Sequence, residues 1–169
     1  MIAKNRWSQI IGNRIWLIAG IFMLALGALI YMTQRSPADI YFTRFFGINQ
    51  ELFGPGFGLP GSLGNVLPAF FHVLGLSLIT SALTSGSRKQ CLLICVGWFM
   101  INAVMETGQK YKDIAIRLTP DFFDRLPFLE ATRTYFLNGT FDPVDIAAAG
   151  CGAFLAFLLM HLVKTDIRQ

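Results

Sequence analysis

Ile15-Trp-Leu-Ile-Ala-Gly-Ile-Phe-Met-Leu-Ala-Leu-Gly-Ala-Leu-Ile-Tyr-Met32 runs without a charged side chain. A helix needs ~20 apolar residues to cross ~30 Å of hydrocarbon. This stretch is too long for the apolar core of a signal peptide, and no small-residue cleavage site follows it in Thr33, Gln34 and Arg35. It predicts an uncleaved transmembrane helix over 15–32.

Three further segments extend the pattern, over 66–83, 91–109 and 144–163. The chain has 169 residues, 54 % hydrophobic and only 14 % charged, with a mean hydropathy of +0.53 and 16 phenylalanines. A soluble domain carries roughly 25 % charged residues, and one of this length could not bury so much apolar surface. The expected fold is therefore a single-domain, all-α integral membrane protein with four transmembrane helices.

Two long connections separate the spans. Residues 33–65 are rich in Gly, Pro and Phe, and a short interfacial helix is expected near 38–47. In the second, 110–141, Thr119-Pro120-Asp121 resembles a helix start with proline in the first position, opening a short amphipathic piece to Leu126. Ser85 to Gln90 reads as a tight polar turn.

Lysine and arginine density sets the expected orientation. Lys4, Arg6, Arg14, Arg88, Lys89, Lys164 and Arg168 crowd into 1–14, 85–90 and 164–169. As many positives are spread over the much longer 33–65 and 110–141, so both termini are expected in the cytoplasm and both long loops outside. Lys110 and Lys112 fit this orientation least well. The formal charge of +4 follows the same topology pattern and contains no basic block suited to nucleic acid.

Polar residues inside apolar spans are costly and call for a reason. His72 lies early in the second span, and Glu106 and Gln109 share one face at the end of the third. Asn102 is one turn deeper on that stripe, and Asp142 and Asp145 open the fourth span. In the N-in topology all six stand at similar depth on the outward side, which predicts a shared ligand-binding cavity. One or both aspartates also suit helix capping. Ala148, Gly152 and Ala156 have the small-xxx-small spacing of close helix packing, with the partner left open.

Other chemistries lack a pattern. Cys91, Cys95 and Cys151 sit in apolar runs as small core residues, and nothing supplies a metal-ligand spacing. There is no phosphate loop, nucleophile elbow or metalloprotease helix. No cofactor or metal is expected, and no catalytic residue is identified.

The set Glu106-Thr-Gly-Gln109, then Asn138-Gly-Thr-Phe-Asp-Pro-Val-Asp145-Ile-Ala-Ala-Ala-Gly-Cys-Gly152, with His72 upstream, resembles the VanZ-like family over roughly residues 66–163. The chain departs from that family at Pro68 and Ala69, at Thr140 and at Ala149. The resemblance implies a four-helix protein of the bacterial inner membrane and a polar set of His72, Glu106, Gln109 and Asp145. The resulting expectation is a non-catalytic envelope protein binding an amphiphilic or lipid-linked ligand. The alternatives are an accessory subunit of a membrane complex and a membrane enzyme acting on a lipid-linked substrate. Partners are membrane lipids or other membrane proteins.

Overall fold

A computed structural model describes residues 2–34, 63–84, 87–127 and 129–166, with side chains placed from 12 to 162 within those ranges. The expected interfacial helix at 38–47 lies outside them.

Every regular element described is helical. Four are long: α1 (Ile2–Gln34), α2 (Leu63–Thr84), α3 (Arg88–Lys110) and α6 (Pro143–Asp166). Between α3 and α6 stand α4 (Lys112–Leu118), a 3-10 turn (Asp121–Arg125) and α5 (Thr132–Asn138). The four long helices contain apolar windows at 12–33, 63–84, 88–110 and 143–162, all of spanning length. They cover the four expected spans and fit a multi-pass integral membrane protein.

α2 is central: 39 % of its apolar window is buried, against 11 % for α1, and it packs on α1, α3 and α6. α1 runs antiparallel to it, with Gly20 against Gly75 and Ile79, and Gly27 against Phe71. The core contains Val73, Leu74 and Leu78 of α2, Cys91 and Cys95 of α3, and Ala149, Ala153, Ala156 and Met160 of α6. Ile18, Leu93, Val104, Phe154 and Leu162 are exposed, as lipid-facing residues are. Inside a bilayer the hydrophobic effect does not drive helices together, so close van der Waals contact and interhelical hydrogen bonds must. Trp98 Nε1 supplies one such bond, donating to Thr80 Oγ1 at 3.0 Å.

The small-residue face of α6 packs within the chain, against α2. A Cβ added at Gly152 would collide with the Phe70 carbonyl oxygen and lie 3.3 Å from Leu74 N, so the backbones meet here and no larger residue fits. Ala156 is fully buried, whereas Ala148 sits at the edge; Ala149 and Ala153 complete the contact face instead. Proline at position 68 is accommodated in the second turn of α2.

Four local expectations are corrected. The polar turn ends sooner: Ser87 caps α3, its Oγ accepting from Gln90 N while Gln90 Oε1 accepts from Ser87 N at 2.6 Å. This reciprocal capping box makes Arg88 helical. Thr119 closes α4 and does not open the next element, since its hydroxyl donates back to Ala115 O at 2.8 Å. The amphipathic piece after it is a 3-10 turn with Pro120 before its first residue. Finally, Cys151 is exposed on α6, unlike the buried Cys91 and Cys95.

The connection 110–141 is also more helical than its composition suggests. α4 and α5 each have seven residues and start without a side-chain cap, so no sequence signal announces them. They are held by packing against each other and against the end of α3.

Candidate functional site

α3 ends where Tyr111 leaves helical geometry, at φ −111° and ψ 55°. Its amide still donates to Thr107 O, and its carbonyl accepts from Ala115 N, so α4 begins directly beyond the break. The chain then folds back through the 3-10 turn and α5 to cover the end of α3. Arg133 fastens this cap. It donates to Thr119 O at 3.0 Å, to Asp121 Oδ1 at 2.6 Å and to Asp124 Oδ2 at 2.5 Å. Asp121, with Asp124 beside it, holds the exposed guanidinium above its ordinary pKa, which leaves its charge unchanged at any physiological pH.

Both positive residues that fitted the orientation poorly have local work in the cap. Lys112 Nζ donates to Leu137 O at 2.7 Å, at the C-terminal end of α5 where a cation complements the helix dipole. Lys110 Nζ lies 5.2 Å from the Phe141 ring centroid and 5.7 Å from that of Tyr111, within cation–π range.

Under the cap, Glu106 and Gln109 are buried at 7 % and 6 % exposure. Gln109 Nε2 donates to Glu106 Oε1 at 3.2 Å, and Tyr135 Oη donates to the same oxygen at 3.0 Å. Two glycines make the fit possible. A Cβ at Gly139 would lie 2.5 Å from the Gln109 side chain, and one at Gly108 would lie 2.5 Å from the Phe136 ring. The Asp142 backbone amide also faces the Glu106 carboxyl. Glu106 Oε2 is left buried with no donor among the described residues, as is Asn102 Oδ1 one turn earlier on α3. Burial, reinforced by the neighbouring Glu106, holds the Tyr135 phenol above its ordinary pKa and therefore neutral.

Of the six expected site residues, Asn102, Glu106, Gln109 and Asp142 gather at this end of the bundle. Asp142 also caps α6: its Oδ1 accepts from Val144 N at 2.8 Å, two residues on. Asp145 is half-buried in the first turn of the same helix. His72 is exposed and makes no hydrogen bond or ion pair with the others among the described residues. The contacts shown directly among the six are those of Glu106 with Gln109 and of Asp142 beside Glu106. Ser77, buried beside Cys95, is part of the core.

Tyr135 is the site residue that sequence reading missed. Its position in a loop of unassigned structure gave no periodicity by which to aim it at α3. Among the described residues no group of three His, Cys, Asp or Glu side chains could hold a metal ion.

Set against protein-family models, curated proteins and solved structures, the chain matches none of them. What the fold and composition define is a class: a multi-pass membrane protein of four apolar helices, one end closed by a helical cap over a buried carboxyl.

Proposed function

We propose that the protein is a non-catalytic envelope membrane protein that binds an amphiphilic or lipid-linked ligand at the capped end of the bundle. The observation that carries this reading is the Glu106 carboxyl: buried at the end of a long apolar helix, ordered by Gln109 and Tyr135, and keeping one oxygen without a donor among the described residues. Buried polar groups left unsatisfied are costly, and near the boundary of a bilayer such a cost marks a binding function. The VanZ-like resemblance at His72, Glu106, Gln109 and Asp145 is part of this reading and implies a bacterial plasma membrane as its location.

The orientation belongs to this reading. With both termini cytoplasmic, the cap faces outward and lies at the membrane interface. Tyr111 then serves as an interfacial aromatic beside Lys110. The exposed Ile114, Leu118 and Phe122 of the following turns supply apolar contacts to the lipid boundary.

The accessory-subunit alternative draws on the small-residue face of α6 (Ala148, Gly152 and Ala156) and on the Phe-rich loops, much of which lies outside the described residues. Gly152 and Ala156 are occupied by α2 of the same chain, so that face offers little to a partner.

The test is purification of the full chain in mild detergent, followed by lipid mass spectrometry of the wild type and of Glu106→Leu and Tyr135→Phe. A lipid or glycolipid retained by the wild type and depleted in both variants supports the proposal. Equal retention in all three removes Glu106 as the site. Stoichiometric co-purifying proteins would favour the subunit reading.

A further inference from the structure

The hydrogen-bonding capacity left over at this site is of one kind. Its side-chain donors, the Gln109 amide and the Tyr135 hydroxyl, both point at Glu106 Oε1. Among the described residues, Glu106 Oε2 and Asn102 Oδ1 have no donor; they lie one helical turn apart on α3, and both are acceptors. Glu106 is more than nine-tenths buried. The carboxylate of Asp142 adds a second negative group nearby. The described ion pairs, those of Arg133 with Asp121 and Asp124, leave both carboxylates untouched. Lys110 rests over the rings of Tyr111 and Phe141, and Lys112 is bonded to the Leu137 carbonyl.

We propose that Glu106 Oε2 and Asn102 Oδ1 together bind a primary ammonium group, the group carried by ethanolamine phospholipids in a membrane and by free alkylamines in solution. This rests on the ligand-binding reading above and names the chemistry that site selects. A primary ammonium has three N–H donors and a positive charge, so one group satisfies both oxygens and offsets the carboxylates. A choline head group carries the same charge and no N–H donor, and a glycerol head group has hydroxyl donors without the charge. Selection among them therefore follows from the pairing of two acceptors with negative charge. Both oxygens are covered in the structure, and Tyr135, at 39 % exposure, is part of that cover.

The experiment titrates the purified full chain with phosphatidylethanolamine, phosphatidylcholine and phosphatidylglycerol of identical acyl chains, reading retention by native mass spectrometry. The expected preference for ethanolamine over choline is at least about tenfold, the factor that one unmade buried hydrogen bond produces. Glu106→Gln and Asn102→Leu each bring that ratio close to one. Glu106→Gln keeps the volume and the Tyr135 contact, and Asn102→Leu keeps an apolar helix surface, so loss of selectivity is separable from loss of fold. Competition by free ethanolamine supports recognition of the amine alone. Binding of the lipid without such competition supports the membrane source. Equal retention of the three lipids, or preference for phosphatidylglycerol, overturns the ammonium assignment while the amphiphile-binding reading stands. Retention of none overturns both.

Discussion

The Tyr135 hydroxyl donates to Glu106 Oε1 across 3.0 Å, joining a seven-residue helix to the end of a span 29 positions earlier in the chain. Around this bond the cap and the bundle become one structure. Gln109 meets the same oxygen, Gly139 leaves room for Gln109, and Arg133 ties the start of α5 back to Asp121 and Asp124.

The bond is expected to be energetically coupled. Tyr135→Phe should destabilise the detergent-solubilised protein by about 1 kcal/mol, the usual net worth of one hydrogen bond. Glu106→Leu should cost more, because it strands both the Gln109 amide and the Tyr135 hydroxyl. The double variant should be less destabilised than the sum of the single ones, measured as unfolding free energy in a double-mutant cycle. Strict additivity would mean that the contact carries no stability.

Alkaline titration should single out the same side chain. The chain has four tyrosines, and burial followed by the adjacent Glu106 raises the pKa of Tyr135. A phenol whose folded pKa exceeds its unfolded value, about 10, contributes stability fully present below that pH. The contribution is lost as pH rises toward the folded value, because the unfolded chain releases its proton first. Ultraviolet titration of the folded protein should show a late-ionising component that is absent in Tyr135→Phe. An unchanged titration curve in that variant would contradict the placement.

Gly152 should tolerate no side chain. A methyl group there would run into the Phe70 carbonyl oxygen, so Gly152→Ala is expected to push α6 from α2. Overpacking of a tight core costs about 1–3 kcal/mol, with larger residues worse. Thermal unfolding of the Ala and Val variants would reveal it, and a neutral Gly152→Val would refute the α2–α6 contact.

The cysteines should react unequally. Cys151 is exposed on α6, while Cys91 and Cys95 are buried and Cys95 lies beside Ser77. A lipid-soluble maleimide added to the native protein should modify one thiol rapidly, and Cys151→Ser should abolish that phase. Rapid labelling of the remaining two would place them on the bundle surface.

The membrane class was legible in the sequence because it depends on length and composition summed over about twenty residues at a time. Ile15–Met32 is long and apolar enough to span whatever its neighbours do, and the other three apolar runs follow the same rule. The i, i+3 spacing of Glu106 and Gln109 likewise needs only helix geometry to put them on one face. Asp142 before Pro143 reads as a helix start for equally local reasons.

What tertiary structure alone decided is which of these faces meet. α4 and α5 are too short to be stable in isolation, so they exist only where packing against α3 supplies what their sequences lack. For that reason Tyr135 could not be aimed at Glu106 from the sequence. The partner of Gly152 was open for the same reason: a small residue permits a close approach, and only the arrangement of all four helices determines that the approaching backbone belongs to α2. Local spacing sets the direction of a side chain on its own helix, whereas the neighbour it finds is a property of the assembled bundle.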